Sequence, residues 1–202
     1  MPELPEVQSI INDLEKVLKG KIMQSVDCYY PGTVIADELL KANPFPARVW
    51  EIKRRGKYII IKLEKDNALI IHLRMTGKLI YDNFCSEPIK YERARIILEE
   101  GKVLHFMDIR TFGKIVICEQ KNIHNYLPPL GLEPFSDNFT ANALKEKLKG
   151  KKAPVKIVLM DQRIIAGLGN IYVCEILYRA GINPAKPAHK IKQKKIVEII
   201  QR

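Results

Sequence analysis

The stretch Pro128-Pro129-Leu130-Gly131 divides the sequence into two parts with different periodicities. On its N-terminal side, short apolar or alternating runs follow one another: Ile22–Tyr30, Val49–Lys53, Tyr58–Leu63, Ala68–Leu73, Lys78–Tyr81, Arg95–Leu98, Val103–Met107 and Lys114–Cys118. Turn formers such as Pro31-Gly32, Lys65-Asp66-Asn67 and Glu99-Glu100-Gly101 separate them, as expected for strands. On its C-terminal side the spacing is helical, over Ala141–Leu148, Val155–Asp161, Asn170–Arg179 and from about Lys190 onward. Gly181 and Pro184 close the third of these helices. A further helix opens the chain. Pro5 suits its first turn, Val7, Ile10, Ile11, Leu14, Val17 and Leu18 share one face, and Gly20 ends it. The expected fold is α+β: an N-terminal helix and a two-layer β-sandwich over residues 1–130, then a helical domain over residues 131–202.

The charge is divided unevenly along the same line. The net charge is +11, of which residues 131–202 contribute +8 and residues 1–130 only +3. A solvated basic face would account for this. Clustered Lys and Arg are also rewarded by counterion release on a polyanion, which makes nucleic acid the first partner to consider. No apolar run is long enough to span a bilayer, and the opening residues lack the pattern of a signal peptide. Cys28, Cys85, Cys118 and Cys174 are far apart, with no C-x-x-C pair. They suggest reduced, mostly buried thiols in a cytosolic protein, neither a disulfide framework nor a zinc site within this chain.

The residues with chemical potential begin at position 2. Removal of Met1 would leave Pro2 with a free secondary amine, able to attack a carbonyl-like carbon and form an iminium. The start of a helix disfavours the protonated amine and attracts phosphate. Glu3, and Glu6 one turn on, are carboxyls suited to proton transfer in sugar chemistry. A Pro-Glu pair also simply starts helices.

Met1-Pro2-Glu3-Leu4-Pro5-Glu6-Val7 resembles the opening of formamidopyrimidine-DNA glycosylases, bacterial enzymes that excise 8-oxoguanine and ring-opened purines. The related endonuclease VIII enzymes usually carry Gly where Leu4 stands. Three further motifs follow in the family's order. Arg54-Arg55-Gly56-Lys57-Tyr58 is a basic turn leading into a strand. Ile71-His72-Leu73-Arg74-Met75-Thr76-Gly77-Lys78 pairs with Asp108-Ile109-Arg110-Thr111-Phe112-Gly113. Ala166-Gly167-Leu168-Gly169-Asn170-Ile171-Tyr172-Val173-Cys174-Glu175, with Ala180-Gly181-Ile182-Asn183-Pro184, is similar to the helix-two-turn-helix signature, which identifies the helical domain as one that binds DNA. Together they span nearly the whole chain.

The resemblance implies a base-excision repair glycosylase with abasic-site lyase activity. Pro2 would attack C1′ of the damaged nucleoside, Glu3 would assist sugar opening, and Lys57 would donate a proton as the strand is cut by β- and δ-elimination. Glu6 would lie at the lesion. Met75, Arg110 and Phe112 would form a wedge that replaces the stacking and pairing lost when the base is flipped. His72, Lys151, Asn170 and Tyr172 would contact DNA, and Lys156 would lie near the lesion pocket. For Met75 and His72 an ordinary core role is the alternative, and for Lys151 a solvated surface. Glu175 would brace its helix. The partner would be double-stranded DNA containing oxidised bases or abasic sites, met by a monomer in the cytoplasm at the nucleoid.

Two departures stand out. Tyr91 occupies a place where the family commonly has a phosphate-contacting His, so that its hydroxyl or Arg93 would have to substitute. Similar enzymes also continue into a four-cysteine zinc finger and a mobile loop that closes over 8-oxoguanine. The last helix here, with Ile191, Ile196, Ile199 and Ile200, runs into Arg202 without a capping signal. The expectation is a C-terminally truncated chain, weak or inactive alone, with zinc confined to the part that follows. Two other readings compete: an endonuclease VIII-like enzyme for oxidised pyrimidines, and a non-catalytic nucleic-acid-binding protein that keeps only the helix-two-turn-helix.

Overall fold

The structure, a computed structural model, describes residues 1–38, 40 and 43–200, without the side chains of Gln193 and Ile200. Ile200 as an apolar position and Arg202 therefore lie outside what is described. The chain forms two compact units, Met1–Pro128 and Pro129–Arg202.

The first unit opens with α1 (Leu4–Leu18), which buries Leu4, Val7, Ile11, Leu14 and Leu18 at three- and four-residue spacing. Ile10 and Val17 pack at the margin of the same core. Gly20, at φ 83°, turns the chain out of the helix, and its N–H donates to the Val49 carbonyl at 2.8 Å. Nine strands follow: β1 (Ile22–Cys28), β2 (Val34–Ala36), β3 (Ala47–Arg55), β4 (Tyr58–Leu63), β5 (Asn67–His72), β6 (Lys78–Asn83), β7 (Glu92–Leu98), β8 (Lys102–Met107) and β9 (Lys114–Glu119). Their hydrogen-bonded order is β2-β9-β5-β4-β3-β1-β7-β8-β6. The β1–β3 pairing has two register pairs, Ile22 with Arg48 and Met23 with Ala47, and forms the corner between the two layers of the sandwich. Val49, Ile61, Leu69 and Ile71 on one side of that corner and Ile96, Leu104 and Phe106 on the other join one core with α1. Each such side chain contributes about 1.5–3 kcal/mol by leaving water.

Two features differ from the sequence reading. The first strand ends at Cys28, because the Tyr29 and Tyr30 N–H groups both turn to the Arg93 carbonyl. The three-residue β2, parallel to β9, was not expected; it is too short and too exposed to show alternation. A short helix, α2 (Ile123–Tyr126), ends the unit.

The second unit contains α3 (Ala141–Leu148), α4 (Val155–Met160), α5 (Asn170–Arg179) and α6 (Gln193–Ile200). The Thr140 hydroxyl caps α3 by accepting the Ala143 N–H at 3.2 Å. Leu144, Leu148, Leu159, Ile165, Val173, Leu177 and Ile196 form a separate core. Among the described residues no helix is long and apolar enough to cross a membrane.

Candidate active site

The N-terminus of α1 is fixed by a reciprocal pair of bonds. The Glu3 carboxylate accepts the Glu6 N–H, and the Glu6 carboxylate accepts the Glu3 N–H at 2.8 Å. This capping box satisfies helix donors that would otherwise be orphaned. It also holds two carboxylates beside Pro2, with Glu3 buried and Pro2 half-buried. Lys57 comes from the hairpin between β3 and β4, a two-residue turn in which Gly56 stands first with φ 56°. A positive φ at the first central position suits glycine and the strand twist. The turn is tied to α1, since Arg54 Nε donates to Gln8 Oε1 at 3.0 Å and its Nη1 to the Gly56 carbonyl at 3.2 Å. Lys57 is 5% exposed. Burial pushes its ammonium below the usual lysine range, and the nearby charges of Glu3 and Glu6 partly offset that. The structure thus brings Glu3, Glu6 and Lys57 together at Pro2; Glu6 belongs to this cluster and not to the wedge loops.

His72 ends β5, opposite Tyr58 on β4 and Lys114 on β9. Its Nδ1 accepts the Arg74 N–H at 3.0 Å, which leaves the proton of the neutral ring on Nε2. Tyr58 lies edge-on to it, 4.4 Å between centroids. Burial and the charges of Arg74 and Lys57 push His72 down to about 4, so it is neutral at physiological pH and can still donate from Nε2.

The wedge candidates sit on two loops. Leu73–Gly77 is a tight turn closed by the Gly77 N–H donating to the Leu73 carbonyl at 2.9 Å. A Cβ at Gly77 would collide with that carbonyl. The turn leaves Met75 47% exposed. In the second loop Phe112 is 52% exposed, and the Arg110 guanidinium lies 5.0 Å over its ring. Gly113 packs where a side chain would strike the Phe106 ring. Arg93 supports this loop: its Nε donates to the Asp108 carbonyl at 2.6 Å, and the guanidinium lies 5.2 Å from the centroid of the Tyr30 ring and 5.9 Å from that of Tyr91. Tyr91 is exposed and lies in the left-handed region at φ 70°.

In the helical unit, Gly167-Leu168-Gly169 leads into α5. Gln162 shapes this approach: its Nε2 donates to the Leu168 carbonyl at 2.6 Å, and its Oε1 accepts the Gly167 N–H at 2.8 Å. Asn170 is exposed at the first residue of α5, and Tyr172 is half-buried within the same first turn. Glu175 pairs with Arg179 at 2.8 Å, a brace along the helix. Lys151 is exposed and Lys156, on α4, is half-buried.

Sequence reading missed a buried cluster. Glu92 accepts Arg95 Nε at 2.9 Å and Nη2 at 2.8 Å, and contacts His105 Nδ1 at 2.5 Å, all three nearly inaccessible. Arg95 also donates to the Cys85 and Glu87 carbonyls, fastening the loop that leads to Tyr91. The signal was three charged or polar residues at inward positions of β7 and β8, where Arg95 and His105 face each other. The thiols also differ from expectation: Cys118 is buried, Cys85 half-buried, and Cys28 and Cys174 are exposed, because the last two fall at a strand end and on the outer face of α5. Among the described residues no three His, Cys, Asp or Glu side chains converge as metal ligands.

The sequence matches the profile of the formamidopyrimidine-DNA glycosylase N-terminal domain over residues 1–115, and that of the same family's helix-two-turn-helix domain over residues 130–202. The chain belongs to the formamidopyrimidine-DNA glycosylase family. Its relatives include the formamidopyrimidine-DNA glycosylase of Rippkaea orientalis, 38% identical over 98% of this chain and 75% of the relative. The Moorella thermoacetica formamidopyrimidine-DNA glycosylase is 34% identical over 98% of this chain and 74% of its own length. The chain thus spans about three quarters of these relatives. A crystal structure of the Lactococcus lactis formamidopyrimidine-DNA glycosylase, bound non-covalently to DNA with an abasic site, superposes with a TM-score of 0.90 at 32% identity, over 98% of this chain and 77% of that one. The same enzyme with DNA containing an oxidised pyrimidine gives a TM-score of 0.90 at 32% identity, over 99% of this chain and 76% of that one. Family membership settles the helical unit as a helix-two-turn-helix domain.

Proposed function

We propose that this base-excision repair glycosylase removes oxidised purines, 8-oxoguanine and formamidopyrimidines, through a Schiff base at Pro2, and then cuts the strand by β- and δ-elimination. The observation that supports this reading is the cluster at the start of α1, where Glu3, Glu6 and the desolvated Lys57 meet beside Pro2. With Met1 removed, the proline nitrogen attacks C1′, and the bond from C1′ to the base breaks. The base leaves as an anion that takes a proton from water, and the amine proton passes to the Glu3 carboxylate. Glu3 gives a proton to O4′ as the C1′–O4′ bond opens, and the nitrogen lone pair completes the iminium. The Glu3 carboxylate can then take the C2′ proton, while the C3′–O bond breaks and Lys57 protonates the departing phosphate oxygen.

Met75, Arg110 and Phe112 fill the space left by the extruded nucleotide, the apolar groups restoring stacking and the arginine satisfying the orphaned base. His72 donates to a backbone phosphate as a neutral ring. Lys151, Lys156, Asn170 and Tyr172 contact duplex DNA. The setting is the bacterial cytoplasm, at the nucleoid.

The test is a panel of duplexes carrying 8-oxoguanine, a formamidopyrimidine, thymine glycol or an abasic site. Thymine glycol is included because the Lactococcus lactis relative was solved with an oxidised pyrimidine in its DNA. Preferential release of the purine lesions with strand cutting is expected. Release of thymine glycol alone would place the chain with endonuclease VIII-like enzymes, and binding without any release would make it a non-catalytic DNA-binding protein.

A further inference from the structure

Asp108 is 1% exposed and takes no part in the chemistry above, yet both wedge loops converge on it. Its Oδ1 accepts the Thr76 hydroxyl and, at 3.2 Å, the Arg110 N–H; its Oδ2 accepts the Gly113 N–H at 2.7 Å. The Thr76 hydroxyl also accepts the Arg110 N–H at 3.2 Å, so it belongs to both loops at once. The Asp108 backbone is fixed as well, with its N–H on the Tyr91 carbonyl at 3.0 Å and its carbonyl on Arg93. Met75, Arg110 and Phe112 are displayed at the rims of a knot centred on the buried Asp108 carboxylate and the half-buried Thr76.

We propose that Asp108 and Thr76 are positioning residues that hold the two loops as one preformed wedge, so that extruding the target nucleotide requires no ordering of Met75, Arg110 and Phe112. The inference rests on the wedge reading given above. Its physical basis is entropic. Loops left free in the unbound protein would lose backbone and side-chain freedom at the moment of insertion, on top of the unstacking of the DNA. A buried carboxylate with three donors removes that ordering step in advance, as preorganisation does elsewhere. The knot should therefore matter where a stacked nucleotide has to be displaced, and not where it is already unstacked.

Thr76→Val keeps the shape of the side chain and deletes the shared hydroxyl; Thr76→Ser restores it. The full chain, in excess over DNA, is treated with borohydride in the presence of 8-oxoguanine either paired with cytosine in a duplex or placed in an unpaired bulge. Thr76→Val is expected to slow the covalent adduct about tenfold or more on the paired lesion and less than about twofold on the bulge. Thr76→Ser should match the unaltered chain. Asp108→Asn is expected to repeat the paired-lesion defect, and where thermal melting shows that it does not fold, the Thr76 pair carries the comparison. Equal slowing on both substrates, or none on either, overturns the inference while leaving the Pro2 chemistry standing. Absence of an adduct from the unaltered chain on both substrates, also after the remaining quarter of a relative's length is joined to it, overturns the Pro2 reading and this inference with it.

Discussion

In the β-sandwich unit the candidate residues are drawn from places far apart in the chain. Glu3 caps a helix, Lys57 sits in a hairpin, His72 ends a strand, and Met75 and Arg110 come from loops joined through Asp108 and Thr76. Most of these groups are buried, and burial shifts Lys57 and His72 away from their ordinary values. In the helical unit, Lys151, Lys156, Asn170 and Tyr172 lie close in sequence, in exposed or half-buried positions, on helices and loops shaped by local bonds such as those of Gln162. The contrast separates two tasks. Tuned proton transfer needs desolvated, tertiary-positioned groups, whereas phosphate contacts in the helical unit fall to exposed or half-buried donors on a stable frame.

The largest effect should come from the first kind of residue. Lys57→Met removes the proton donor while keeping the buried stem, and it should slow strand cutting by about 10²–10⁴-fold. Binding to an abasic duplex should fall far less. Single-turnover incision and a binding titration on the same substrate check this, and a loss confined to binding would erase the distinction between the units. His72 gives the next test. Its folded value of about 4 lies below the ordinary 6.5, so between those values the unfolded chain takes up a proton that the folded chain refuses. Stability is therefore full above pH 6.5 and is lost as pH falls toward 4, by about 3 kcal/mol in all. Thermal melting across that window should show the slope, and His72→Asn should flatten it. The smallest effect belongs to the helical unit. Asn170→Ala should weaken DNA binding by about 1 kcal/mol, evenly across sequences, with no change in single-turnover rate at saturating protein. A rate effect there would blur the comparison.

The same contrast explains what could be read from sequence. The helix-two-turn-helix approach is contiguous from Ala166 to Pro184, and its glycines and Asn170 carry their meaning locally. Alternation gave eight of the nine strands, and β2 escaped because three residues cannot alternate. The Met75 and Phe112 loops were visible as motifs, but their common anchor was not, since Asp108 reads as one more turn aspartate until its three donors are seen together. The Glu92–Arg95–His105 cluster was hidden for a related reason: it joins two strands whose pairing the sequence does not state. Burial of Lys57 was likewise illegible, because basic turns are usually solvated.

The central claim is that the amine of Pro2 is the nucleophile. The most direct measurement is borohydride reduction of the chain with abasic and 8-oxoguanine duplexes, followed by peptide mapping of the cross-link by mass spectrometry. A single DNA adduct on an N-terminal peptide that begins at Pro2, with Met1 absent, is the predicted result. An adduct on a lysine such as Lys57 or Lys156, with the proline amine unmodified, would contradict it.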